Sequence, residues 1–140
     1  MRSDPASHIL HAYLHVKDGT EIATVDAPDS FWPDLAAGRF PDLDHGRLMS
    51  AFTFTGAWDT WERHPAGEEL VMLLSGAVTL MLEEAEGVRV VSLTHPGAYV
   101  LVARNTWHTA RAEVESSLVF LTPGAGTEHR PVNDRTWPQP

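Results

Sequence analysis

The sequence predicts an all-β domain, a sandwich or a barrel of short strands. Two observations carry that expectation. From Arg47 to Thr122 the chain divides into eight short segments, 47–55, 58–64, 68–74, 77–83, 87–93, 98–103, 106–112 and 116–122. The breaks between them hold Gly56, a Pro-Ala-Gly turn at 65–67, Gly76, residues 84–87, Pro96-Gly97 and the polar pair Ser116-Ser117. Short strands at such even spacing, punctuated by turn residues, are the mark of a sandwich or barrel. A chain of 140 residues with 43% hydrophobic and 21% charged residues can bury a core as one domain, residues 1–140, without staples.

Ahead of those segments, residues 1–7 read as a loose terminus. His11 to Val16 and Glu21 to Val25 flank Lys17-Asp18-Gly19-Thr20, which predicts a first hairpin. A helix from Asp4-Pro5 to Gly19 competes with it, because Ile9, Leu10, Tyr13 and Leu14 would share one face. Asp29 or Ser30 is placed to cap a short helix through Phe31, Trp32 and Leu35 that stops at Gly38. The hairpin or helix and this short helix form an extension, 8–46, ahead of a barrel core at about 47–122. After Pro123 the tail, 123–140, is too rich in Pro and Gly for regular structure and is expected to be irregular.

Composition narrows the function. There are no cysteines, so disulfides and thiolate zinc sites are excluded, and any metal must use nitrogen and oxygen ligands. A net charge of −9, from 10 basic and 19 acidic residues, disfavours nucleic acid and anionic membrane surfaces as partners. The start MRSDPASH has no apolar leader core, and no apolar run reaches the roughly 18 residues of a membrane span. A soluble cytoplasmic protein is the expectation.

The chemistry concentrates in GAWDTWERHPAGEELVMLLSG, Gly56 to Gly76. Side chains alternate faces along a strand, so Glu62 and His64 point the same way. The turn at 65–67 reverses the chain and brings Glu69 back toward the same pair. His108 lies on a later segment. Two carboxylates and two imidazoles aimed at one point repel or sit desolvated unless a cation joins them. The expectation is a divalent metal site inside a small β-barrel.

These residues resemble the cupins. Gly56-x5-Glu62-x-His64-x4-Glu69-x6-Gly76 follows the spacing of the first cupin motif throughout, with Glu62 where the first His is usual. Gly97-x5-Ala103-x-Asn105-x2-His108-x3-Ala112 follows the second, keeping its Gly and its His. Asn105 substitutes for Gly at a turn needing φ > 0, a region Asn visits more readily than most residues. The resemblance covers about residues 47–122 and implies a double-stranded β-helix, or jelly roll, that pairs as a homodimer through its sheets. It also implies Glu62, His64, Glu69 and His108 as ligands of a divalent metal ion. The two-His, two-carboxylate set is harder than the usual one and suits manganese, iron, nickel or zinc (Mn, Fe, Ni or Zn) without choosing among them.

Alternation from Glu62 turns Trp58 inward as a pocket wall and Trp61 outward, while Val71 and Leu73 lie inward with Glu69 as an apolar floor. Thr106 and Ala110 flank His108 on the inside, and Trp107 points away. Plainer readings apply elsewhere. His8, His11 and His15 form a polar edge, and His45, His95 and His129 are solvated loop residues. A barrel interior of this size takes one small molecule. The expected function is a metal-dependent enzyme of the oxygenase or isomerase type acting on such a molecule. A metal-containing sensor or binder without turnover is the alternative. Tyr99, His45 and Arg47 are candidates for an acid or base that is not a ligand.

Overall fold

The even spacing becomes strands in the computed structural model of the chain, which describes residues 1–138. The hairpin forms and the competing helix does not. β1 (Ala12–Val16) and β2 (Ile22–Asp26) pair antiparallel, and β1 continues onto β3 (Arg47–Ala57). Between them lie α1 (Phe31–Ala36) and a 3-10 turn (Pro41–Asp44). Ser30 occupies the N-cap of α1 without a side-chain capping bond, and Gly38 follows the helix at φ 76°.

The remaining strands are β4 (Thr60–Arg63), β5 (Glu69–Ser75), β6 (Val78–Glu84), β7 (Gly87–Leu93), β8 (Tyr99–Val102), β9 (His108–Pro123) and β10 (Glu128–Pro131). All pairings are antiparallel, and β9 is common to both walls of the barrel. Its second half pairs with β3 and β5, with β8 beyond β5. Its first half pairs with β6, with the end of β3 and, at His108, with β4. β7 and β10 extend that wall at its two edges. The expected break at Ser116-Ser117 is therefore a bend inside one strand of 16 residues. Register shifts between Phe54 and Gly56 and between Leu73 and Ser75 absorb that bend.

Gly76 shows why the first motif ends in glycine. Its φ is 84°, and a Cβ there would lie 2.7 Å from the Glu115 carbonyl and would also meet the Ser116 hydroxyl. Asn105, at φ 60°, is the residue without a glycine's freedom that takes a positive φ among the described residues, as its place in the second motif predicts.

Between the walls lies the main core, with Val71, Leu73, Leu80, Leu82, Val100, Ala110, Leu118 and Phe120 among its buried residues. A second cluster joins Tyr13, Phe31, Leu43 and Leu48 and fixes the hairpin and α1 against β3. The third, Trp61, Met81 and Trp137 with Trp107 and Val132 alongside, lies apart from the main core. Trp61 and Trp107 thus face away from the barrel interior, as alternation predicts.

The tail corrects the sequence expectation. Residues 123–140 were expected to be irregular, yet β9 runs to Pro123 and β10 adds an edge strand beside β4, while residues 139–140 lie outside the described residues. Strand pairing overrides local composition here: the register Glu128↔Arg63 to Pro131↔Thr60 satisfies the β4 edge, and Pro131 stands at the strand end where a missing N–H does least harm. No helix among the described residues is long and apolar enough to cross a membrane.

Candidate metal centre

Three strands and one turn bring the four motif residues together as two overlapping sets, Glu69 against both His64 and His108, and Glu62 beside the same two imidazoles. Glu62 lies on β4 and is directly opposite His108 on β9. Directly opposed residues of an antiparallel pair project to the same face. His64 follows β4 at the turn, whose return carries Glu69 into β5. Glu69 Oε1 is 2.9 Å from His108 Nε2, and Glu69 Oε2 is 3.1 Å from His64 Nε2. The imidazole centroids of His64 and His108 are 5.4 Å apart. Glu62, His64 and His108 each offer a ligand atom within 4.8 Å of the others. With bonds of roughly 2.0–2.2 Å, ligand atoms on opposite sides of one ion sit about 4 Å apart, so this spacing is near what a single ion spans.

His64, Glu69 and His108 are 5%, 2% and 0% exposed, whereas the Glu62 side chain is 29% exposed at the rim. Burial of a carboxylate raises its pKa, but contact with the His108 and His64 imidazoles overrides this and brings Glu69 down from 4.5 to about 2. For His108 burial pulls the pKa down, and contact with Glu69 outweighs it, aided by the Thr106 carbonyl and the Glu62 charge, so the value rises above 6.5.

Hydrogen bonding fixes the ring orientations. His108 Nδ1 is 3.0 Å from the Thr106 carbonyl, which only accepts, so Nδ1 carries a proton. A neutral His108 then turns a bare Nε2 lone pair toward the Glu69 carboxylate. Two lone pairs at that separation repel unless a proton or a cation stands between them. The atoms are also poorly aligned for hydrogen bonds. His64 Nε2, His108 Nε2 and Glu69 Oε1 are all buried with no hydrogen-bond partner among the described residues. Glu69 Oε2 accepts from Thr122 at 2.7 Å, and His64 Nδ1 is 2.9 Å from Thr127 Oγ1. Buried polar atoms without aligned hydrogen bonds are costly, and three of them facing one another fit a divalent cation. Nitrogen and carboxylate donors suit manganese, iron, nickel or zinc alike.

The expected pocket divides. Val71, Leu73 and Ala110 are fully buried core residues and not an open surface. Thr106 precedes β9 instead of lying within it, and its backbone carbonyl, not its side chain, reaches His108. Trp58 lies inward and half-buried against Phe52, Phe54 and Phe120, with its ring centroid 6.4 Å from that of His108. Its indole N–H is buried and has no hydrogen-bond partner among the described residues.

His129 was missed. Expected as a solvated loop residue, it is indeed exposed, its side chain 52%, but it lies on β10 opposite Glu62, with Nε2 3.2 Å from Glu62 Oε1. Its pKa is raised by that contact, against a smaller lowering by burial. The N-terminal histidines do not gather: His15 is buried with Nε2 2.7 Å from the His45 carbonyl, and His8 pairs with His11 at 5.7 Å between centroids. Tyr99 is exposed on β8, opposite Met72, whose neighbour Val71 faces the core. His45 and Arg47 border a recess of about 360 Å³ with Asp18, Asp44 and Pro123, a set that includes none of the four motif residues.

No protein-family model matches the chain, and no curated protein matches it. Solved structures do resemble it. A cupin-2 domain containing protein from Shewanella frigidimarina shares 14% identity over 55% of this chain and 70% of that one, with a TM-score of 0.47. A 3,4-ketoisomerase from Helicobacter canadensis shares 15% identity over 56% of this chain and 61% of its own, with a TM-score of 0.49. Hydroquinone 1,2-dioxygenase from a Sphingomonas species, solved with 4-hydroxybenzoate bound, shares 15% identity over 56% and 60%, at 0.47. In this chain the two motifs of cupin spacing lie in order along an antiparallel barrel, and His64, Glu69 and His108 meet at one buried place.

Proposed function

We propose that this chain is a metal-dependent enzyme of the oxygenase or isomerase type, acting on a small molecule in the barrel. Glu62, His64, Glu69 and His108 would hold the ion. The observation that carries this reading is the buried contact of the Glu69 carboxylate with the His64 and His108 imidazoles at 3.1 and 2.9 Å, in which His64 Nε2, His108 Nε2 and Glu69 Oε1 have no aligned hydrogen bond among the described residues. A bound divalent ion supplies Lewis acidity toward substrate oxygens, or oxygen activation if it is iron.

The chain's own residues divide the remaining work. Phe52, Phe54, Trp58 and Phe120 form a continuous aromatic wall that excludes water beside His108. The Trp58 indole N–H is a buried donor without a hydrogen-bond partner among the described residues. Glu62 is the least buried of the four, so it is the carboxylate best placed to loosen and accept a proton. The binder reading has its own support: Tyr99, His45 and Arg47 all lie away from the site, and the aromatic wall is apolar apart from that one N–H.

Exchange of Glu62 for His separates the two. Glu62→His is expected to retain an ion, with a shift in which ion is preferred. Under the enzyme reading, turnover found in screens for oxygen uptake and isomer interconversion disappears in that variant. Under the binder reading there is saturable ligand binding and no turnover in either protein. Loss of all metal from Glu62→His, read by elemental analysis, contradicts the ligand assignment.

A second copy of the chain is the proposed partner. Leu14, Met49, Leu121, Leu70 and Leu101 stand opposite one another across β1, β3, β9, β5 and β8, and Val119, Met72 and Tyr99 form the next such row. Neighbours in sequence such as Val71, Val100 and Phe120 face the main core, so these rows line the other side of the sheet. Tyr99 and Leu101 are 60% and 55% exposed. An apolar sheet face of this kind suits an isologous contact. Light scattering is expected to give a dimer that Leu101→Glu with Tyr99→Glu converts to a folded monomer; a wild-type monomer refutes the contact.

A further inference from the structure

The C-terminal strand reaches the site from outside both motifs. Thr127, at its entry, places Oγ1 2.9 Å from His64 Nδ1, and His129 places Nε2 3.2 Å from Glu62 Oε1. For His64 to offer its Nε2 lone pair, Nδ1 must carry the proton, and the Thr127 hydroxyl stands 2.9 Å away to accept it and hold the ring. His129, Glu62 and His108 lie in one row across β10, β4 and β9, so the strand register itself sets the His129–Glu62 contact.

The rest of the segment is anchored independently of these two contacts. Glu128 pairs with Arg63 at 2.8 Å, and Arg130 bonds Glu83. The Arg130 guanidinium lies 4.9 Å from the Trp61 ring centroid and 4.7 Å from that of Trp107, and that of Arg111 lies 4.6 Å from Trp137. The anchor is built from side chains that do not touch the site, whereas Thr127 and His129 do nothing else in this packing that requires their residue types.

We propose that Thr127 and His129 are positioning residues of the metal centre, and that the C-terminal segment sets its affinity by holding His64 and Glu62 in their binding orientations. This rests on the reading of His64 and Glu62 as ligands. It extends the working part of the chain beyond the motif-bearing region to residue 129.

Titration of the metal-free full chain with cobalt(II), followed by visible absorption and chelator competition, tests it. Thr127→Val and His129→Ala are each expected to weaken cobalt(II) binding by about 10–100-fold. The stoichiometry stays the same, the absorption bands shift, and the metal-free melting temperature remains near wild type. Thr127→Ser, which keeps the acceptor, and His129→Gln, which keeps a donor to Glu62, recover most of the affinity. A merely structural role would move the melting temperature and leave the bands alone. Wild-type affinity and spectrum in both Thr127→Val and His129→Ala overturn the proposal while the ligand assignment stands. A wild-type chain that takes up no cobalt(II) overturns both.

Discussion

Replacing His108 with Ala is expected to strip the protein of its ion and to destabilise even the metal-free chain by about 3–5 kcal/mol, the usual result of removing one partner from a buried charged pair. His108 is fully buried, and its loss leaves the Glu69 carboxylate desolvated beside His64 alone. Denaturant unfolding in the presence of a chelator measures the effect. The same reasoning predicts that removing both charges does less harm than removing one. His108→Leu with Glu69→Leu is expected to recover much of the lost stability and to bind no metal, because an apolar pair of similar volume avoids the desolvation cost. A single variant as stable as wild type means that the Glu69–His108 contact is not formed in solution.

Raising the pH from 5 to 8.5 is expected to widen the gap in melting temperature between the metal-loaded and metal-free protein. In the metal-free chain the Glu69 carboxyl titrates at about 2 instead of 4.5, so its contribution to stability is complete above 4.5 and is lost as pH falls toward 2. His108 moves the other way. Its raised pKa gives a contribution complete below 6.5 that is lost as pH rises through the folded value. The metal-free protein is therefore most stable between about 4.5 and 6.5. The ion needs the His108 nitrogen that the proton otherwise occupies, so apparent affinity grows by about tenfold per pH unit for each proton displaced, until the imidazole is fully neutral. Stabilisation by the ion follows that affinity. A gap that does not change with pH contradicts competition between proton and metal at His108.

Much of the barrel was legible because period-two patterning and turn residues act locally. Gly76 and Asn105 announced their backbone geometry, and the 65–67 turn announced the return of Glu69. The facing of Trp58, Trp61 and Trp107 followed from alternation alone. What was not legible depends on pairing between distant segments. Nothing in GTEHRP marks a strand, and it becomes one only because β4 offers an unpaired edge that Glu128–Pro131 can fill. His129 was misplaced for that reason, since its role exists only once β10 lies beside Glu62. Ser116-Ser117 looked like a break because polar pairs usually end strands. Here Ser116 is buried and bonds to Ala77 across the bend, so the strand continues. The expected floor of Val71, Leu73 and Ala110 had the right facing, but alternation cannot separate a packed core from an open pocket.

The central claim is that His64, Glu69 and His108, with Glu62, close on one cation. Elemental analysis of the untagged protein, purified without nickel resin or chelator, tests it most directly when run beside His64→Ala and His108→Ala. One divalent ion per wild-type chain and a large fall in both variants is the predicted result. Equal metal content in all three proteins, or none in the wild type, contradicts it.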